Sequence, residues 1–135
     1  MESKLTLEKT IKMVREFHDA FGINSIAQPS VGIGTATQQL RFDLMQEENE
    51  EYLEAALNGD LVEVADALGD MLYILCGTIL AHGMQHKMEE VFTEIHRSNM
   101  SKLGADGKPV YRADGKVLKG PNYFKPEISE IMSED

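Results

Sequence analysis

The sequence predicts an all-α protein. A bundle of four to five helices, residues 1–101, is followed within the same domain by an irregular basic arm, residues 102–135. Three observations carry that prediction. Apolar residues recur at helical spacing through four successive stretches. Short breaks containing Gly or Asn separate those stretches. Pro109, Pro121 and Pro126 exclude long helix from the last segment.

The first stretch, Leu5 to Phe21, repeats Leu7, Ile11, Val14, Phe17 or His18, and Phe21. Ser3 or Thr6 is expected to start it and Gly22 to end it. Phe17 and His18 fall near the apolar face, where core packing is their plainer use. Gly22 to Gly34 is a loop with Pro29, and it lacks the Lys of a phosphate-binding loop. Thr35 or Thr37 is expected to cap the second helix, which runs to Leu57. On its wheel, Leu40, Leu44, Tyr52 and Ala55 with Phe42, Met45, Leu53 and Ala56 form the apolar arc.

Asn58-Gly59 stops that helix, and Asp60 caps the third, Leu61 to His82. Glu63 stands where a capping-box partner would stand. The third helix is apolar on nearly every side, the pattern of a buried helix. That is more apolar surface than the neighbours in a small bundle cover. We expect at least a dimer, with Leu72, Leu75 or Ile79 against a second chain. His82-Gly83 closes the helix, and His86 to Asn99 forms the fourth, with Met88, Val91, Phe92 and Ile95 as its stripe. His82 and His86 straddle the Gly83 break, so their spacing does not make a zinc site.

From Lys102 the charge changes sign. Lys102, Lys108, Arg112, Lys116, Lys119 and Lys125 face only Asp106 and Asp114. Asp-Gly-Lys occurs at 106–108 and again at 114–116. The second copy lies between Val110-Tyr111-Arg112 and Lys116-Val117-Leu118, which predicts a short hairpin. The arm has two uses open to it: a cationic clamp on a polyphosphate, or a solvated tail held by Tyr111, Tyr123 and Phe124. Glu127 to Asp135 is expected to fray.

The chemistry concentrates between Gln46 and Asp70. This stretch holds Glu47, Glu48, Glu50, Glu51, Glu54, Asp60, Glu63, Asp66 and Asp70, and no Lys or Arg. Glu50 and Glu54 fall on the wet side of the second helix. Glu48 and Glu51 fall in line with Leu44 and Ala55, inside the apolar arc, with Glu47 at its border. Glu63, Asp66 and Asp70 make one narrow stripe on the third helix. Burying ionised carboxylates costs several kcal/mol each without compensation. Raised pKa values, distant partners or bound divalent cations are the solutions, and all-oxygen ligands favour Mg²⁺ or Mn²⁺ over zinc.

The composition sets limits on partners. A formal net charge of −10 argues against non-specific nucleic-acid binding, and against a bare polyphosphate unless metal screens it. The lone Cys76 makes no intrachain disulfide, which points to a reducing, cytoplasmic setting. No uninterrupted apolar run reaches the ~18 residues of a membrane span. The opening MESKLTLEKT lacks a signal-peptide core.

Glu47-Glu48-x-x-Glu51, a short turn, and an acidic helix ending Ala65-Asp66-Ala67-Leu68-Gly69-Asp70-Met71-Leu72-Tyr73 resemble the MazG-like all-α NTP pyrophosphohydrolases. Phe17-His18-x-x-Phe21-Gly22, Gly77-Thr78 and His96-Arg97-Ser98-Asn99-Met100-Ser101-Lys102 extend the resemblance over nearly the whole chain. It is similar above all to the phosphoribosyl-ATP pyrophosphohydrolase-like and dimeric dUTPase-like branches. The resemblance implies a helical bundle assembled as a dimer or tetramer, and Mg²⁺-dependent cleavage between the α- and β-phosphates of a nucleotide. It assigns metal binding to Glu48, Glu51 and Asp70. The family's usual third acid falls on Ala67 here; Asp66 is the nearest replacement, and Glu63 satisfies the spacing to Asp66.

On the residues themselves, Glu47 is the candidate base for an attacking water. Asn99 and Lys102, with Lys116 and Lys119 from the arm, are the candidates for phosphate or sugar. Phe17 and Phe21 are candidates to stack on a base. Two rival readings are a phosphoribosyl-nucleotide as substrate, and a binding protein that holds a metal–nucleotide without cleaving it.

Overall fold

The computed structural model describes residues 4–133. Its described residues form five helices and one two-stranded ribbon: α1 Leu7–Phe21, α2 Thr35–Leu57, α3 Leu61–Ala81, α4 Met88–Met100, β1 Val110–Tyr111, β2 Val117–Leu118 and α5 Ile128–Ser133. The fold is all-α, as the sequence predicts. Packing divides the chain into two compact units, one ending at His86 and the other beginning at Lys87.

In the first unit, α2 and α3 form an antiparallel hairpin around the turn Asn58-Gly59-Asp60, and α1 packs on α3. Ile11 and Val14 of α1 and Cys76, Ile79 and Leu80 of α3 are buried core residues; Cys76 and Leu80 are fully enclosed. The helix ends follow their capping chemistry. Thr6 accepts from the Lys9 N–H at 3.2 Å, and Asp60 from the Glu63 N–H at 3.1 Å. Ser3, the other candidate start for α1, lies outside the described residues. The loop from Gly22 is tied to the far end of α3: the Ile26 and Ser30 N–H groups donate to the carbonyls of Leu80 and His82.

Several expectations need correction. Neither Thr35 nor Thr37 caps α2; the cap position is Gly34 at φ 91°, without a side-chain bond. Leu40, Phe42 and Leu53, placed in the apolar arc, are more than half exposed. The buried line of α2 runs instead through Arg41 and Ala55, with Leu44, Met45 and Glu48 half-buried. The reason is that α2 packs mainly against α3, and so buries one narrow face. α3 packs against both α1 and α2, yet it is far less buried than its composition suggests. Leu61, Val62, Leu68, Leu72 and Leu75 are exposed, whereas Ile79 is enclosed within its own chain and offers nothing to a partner. By length and mean hydropathy α3 would pass as a membrane span, which counting uninterrupted apolar runs overlooks. Its contacts with α1 and α2 and its three acids make it the central helix of this unit.

In the second unit, α4 begins at Met88 rather than His86. Val91 is buried, but Phe92 of the predicted stripe is mostly exposed. β1 and β2 pair antiparallel, Val110 with Leu118 and Tyr111 with Val117. The two Asp-Gly-Lys copies fold alike. In each, the Asp Oδ1 accepts from the Lys N–H, at 3.0 and 3.1 Å, and the Gly takes a positive φ, 77° and 88°. The fraying expected from Glu127 to Asp135 does not hold for Ile128–Ser133, which form α5 and pack against α4; residues 134 and 135 lie outside the described residues. Lys87 Nζ donates to the Ile131 carbonyl at 3.0 Å, and the Glu127 N–H donates to Glu94 Oε2 at 2.9 Å.

Candidate metal centre

Three carboxylates from the α2–α3 hairpin converge. Oxygens of Glu48, Glu51 and Asp70 lie within 4.8 Å of one another. Glu48 and Glu51 are three residues apart on one face of α2, and the antiparallel turn brings Asp70 of α3 opposite them. Glu48 is half-buried, and its Oε2 is enclosed with no hydrogen-bond partner. Among the described residues no Lys, Arg or His forms an ion pair with any of the three. Burial, then a side-chain hydrogen bond with Glu51 and the adjoining carboxylates of Glu51, Asp70 and Glu47, push the Glu48 carboxyl up to about 7. Glu51 itself is exposed, so the expectation that both acids of α2 are buried holds for Glu48 alone.

The other predicted acids lie apart from this trio. Asp66 and Glu63 line a neighbouring cleft of about 310 Å³ with Glu51, Glu54, Asn58 and Asp60, at the turn end of the hairpin. Ala55 and Ala67, both buried, floor that cleft. Each α3 turn advances about 5.4 Å along the axis, so Asp66 sits one turn from Asp70, and only Asp70 joins the trio. Glu47 stands beside Glu48 on α2, exposed, and contributes to the charge that Glu48 feels.

The donor set suits a hard divalent cation. Three carboxylates, one with an enclosed unpartnered oxygen, need positive charge that the described protein groups do not supply.

Two turns away along the same seam is an arrangement that sequence reading missed. Arg41 of α2 is 7% exposed. Its Nε donates to Thr78 Oγ1 at 3.1 Å and its Nη2 to the Ile74 carbonyl at 2.8 Å. Gly77 makes the room: a Cβ there would stand 2.5 Å from Arg41 Nη2 and 3.0 Å from His18 Nε2. His18 is buried, with Nδ1 3.2 Å from Ser25 Oγ. Burial and the Arg41 charge hold its pKa below the ordinary histidine range. The signal was present, since Arg41 lies seven residues before Glu48 and shares its face of α2. A charged side chain in phase with apolar ones is easily assigned to solvent.

Phe17 and Phe21, the candidate base-stacking pair, pack on each other with ring centroids 4.5 Å apart, and Phe17 meets Tyr73 edge-on at 5.7 Å.

The remaining candidates belong to the second unit. Asn99 and Lys116 are exposed and Lys102 is half-buried. Lys119 Nζ lies 4.8 Å over the Tyr123 ring. Ser98 and Ser101, from the same motif as Asn99, hold the returning chain: Ser98 Oγ donates to the Phe124 carbonyl at 2.8 Å, and the Phe124 N–H donates to Ser101 Oγ at 3.1 Å. Arg97 covers the Phe124 ring at 4.4 Å. Gly120 allows close approach to the Leu103 carbonyl, where a Cβ would collide.

The fold and site together define an all-α protein whose helical hairpin carries a carboxylate cluster able to hold a metal ion. The comparison with known proteins narrows it. Residues 14–99 match the phosphoribosyl-ATP pyrophosphohydrolase family, and the chain belongs to that family, within the MazG-like all-α NTP pyrophosphohydrolase superfamily. The chain is also 34% identical over 121 residues to an uncharacterized protein of Acanthamoeba polyphaga mimivirus. That match covers 87% of this chain and 44% of the relative, so the chain spans less than half of the relative's length.

Proposed function

We propose that the protein is a Mg²⁺-dependent pyrophosphohydrolase, with Mn²⁺ as a substitute, that cleaves the α–β phosphate bond of a nucleoside or deoxynucleoside triphosphate. The products are the monophosphate and pyrophosphate. The observation that carries this reading is the convergence of Glu48, Glu51 and Asp70 around an enclosed, unpartnered carboxylate oxygen.

When bound, the cation supplies charge neutralisation for the phosphates and lowers the pKa of a coordinated water. Glu48, Glu51 and Asp70 hold it. Glu47, exposed beside Glu48, takes the proton of the attacking water on its carboxylate. Asp66 lies in the cleft that shares Glu51 and is available to the outer part of the same centre. Asn99, Lys102, Lys116 and Lys119 are proposed to contact the substrate's phosphates and sugar. The exposed apolar side chains of α2 and α3, Leu72 and Leu75 among them, support assembly as a dimer or tetramer. We place the protein in the reducing cytoplasm, consistent with its single, buried thiol.

A phosphoribosyl-nucleotide is the second substrate reading, favoured by the family that residues 14–99 match. A panel of nucleoside triphosphates and phosphoribosyl-ATP, assayed for pyrophosphate release with Mg²⁺ and with EDTA, tests both. Release that needs Mg²⁺ is expected, and the preferred substrate separates the two readings. Binding without release from any of them would overturn the enzyme assignment in favour of a metal–nucleotide binding protein.

A further inference from the structure

We infer that Arg41 is a positioning residue of the carboxylate centre. By gripping α3 across Gly77 it fixes the register of α2 on α3, and so sets where Glu48 and Glu51 stand relative to Asp70. The inference rests on the metal centre proposed above.

Arg41 is a costly choice for a buried position. Its guanidinium is desolvated, and among the described residues no carboxylate pairs with it. A methionine or leucine would fill the space without the desolvation penalty. What the guanidinium supplies and an apolar side chain does not is direction. One donor reaches the Ile74 carbonyl and another the hydroxyl of Thr78, a residue of the next turn of α3. Thr78 Oγ1 itself donates to the Ile74 carbonyl at 3.0 Å, so the guanidinium fork closes a directed network on one spot of α3 and holds α2 at that level of α3. A one-residue slip of either helix shifts it by about 1.5 Å and turns it by about 100°. Either bond would then be lost.

The rest of the seam specifies register weakly. Ala55 and Ala67 at the cleft are small, and Leu44 and Met45 are only half-buried. Arg41 lies seven residues from Glu48 on α2, and Ile74 lies four residues from Asp70 on α3. Both partners of the grip therefore share helix faces with the carboxylates they would align. Gly77 belongs to the same device, since any side chain there would displace the guanidinium.

The test is Mn²⁺ binding, followed by electron paramagnetic resonance of the free ion, at a temperature where circular dichroism shows each full-length variant folded. The variants are Arg41→Met, Gly77→Ala, the double variant, and the milder Thr78→Val, which removes only one acceptor. We expect Mn²⁺ affinity to weaken about tenfold or more in Arg41→Met and Gly77→Ala, and less in Thr78→Val. The double variant should be less than additive relative to the two single ones, because the added methyl no longer meets the guanidinium and keeps only its contact with His18 Nε2. Variants that lose thermal stability yet bind Mn²⁺ with wild-type affinity would make Arg41 a purely structural residue and overturn the inference. Should Arg41→Met not fold, Thr78→Val and Gly77→Ala decide the matter on the same criterion. Failure of the wild type to bind Mn²⁺ would remove the proposed metal centre itself, and the inference with it.

Discussion

The two units of the chain treat their polar groups in opposite ways. From Lys87 onward, several charges and hydroxyls are answered locally. Glu94 takes both Arg97 and the Glu127 N–H, Ser98 and Ser101 hold Phe124, and Arg112 pairs with Asp114. Before that point the α2–α3 hairpin leaves three carboxylates without a cation and buries a guanidinium without an anion. It also exposes apolar side chains along both helices. The function proposed above assigns a divalent cation to that open charge and a second copy of the chain to that apolar surface.

The largest expected effect lies in the open unit. Glu51→Gln keeps the shape and removes one ligand charge. Pyrophosphate release should fall by at least about 100-fold, in the range that even outer-shell changes reach at metal sites. Steady-state assay of the purified variant at saturating Mg²⁺ checks it. Activity near wild type would take Glu51 out of the centre.

Next comes the apolar surface. Leu72→Asp together with Leu75→Asp puts charge on exposed positions of α3. Light scattering should move from an oligomer to a chain of about the 15.1 kDa monomer mass. In a protein already monomeric the two changes would alter nothing, and the exposed leucines would need another explanation.

A third effect is one of pH. The Glu48 carboxyl is raised to about 7 in the folded, metal-free protein, above its ordinary range. Between the unfolded and folded values the native state binds the extra proton, so stability falls as pH rises across that window and levels off above it. The cation needs the ionised carboxylate, so Mg²⁺ affinity should run the other way and increase from pH 6 to pH 8. Calorimetric titrations at both values check this, and proton release on binding should accompany it. Affinity independent of pH would place the metal away from Glu48.

The smaller effects belong to the self-contained unit. Ser98→Ala leaves the Phe124 carbonyl without its donor, at a cost of about 1–2 kcal/mol read by denaturant unfolding. Arg112→Ala breaks an exposed pair in the hairpin and should leave Tm unchanged. A large loss from Arg112→Ala would show that the second unit depends on more than its local contacts.

Much of this was legible in the sequence. Helical phase alone put Glu48 and Glu51 on one face with Leu44 and Ala55, because 3.6-residue periodicity is a property of the backbone and needs no knowledge of partners. The turn at Asn58-Gly59 and the cap at Asp60 were read from residue chemistry that acts locally. Arg41 was not read, because its burial depends on a gap at Gly77, thirty-six residues away. The extent of exposure was not read either: a wheel gives the direction of each side chain, not how many neighbours surround the helix. The short helix Ile128–Ser133 has no stability of its own at six residues and forms against α4.

Thermal unfolding of the wild type with and without millimolar Mg²⁺, at pH 8 where Glu48 is ionised, tests the central claim most directly. A ligand that binds only the native state raises stability by RT ln(1 + [L]/Kd). The account predicts a rise in Tm with Mg²⁺ that EDTA reverses and Asp70→Asn abolishes. Equal midpoints with and without Mg²⁺ would contradict it, and would leave Glu48, Glu51 and Asp70 as an acidic face without a metal.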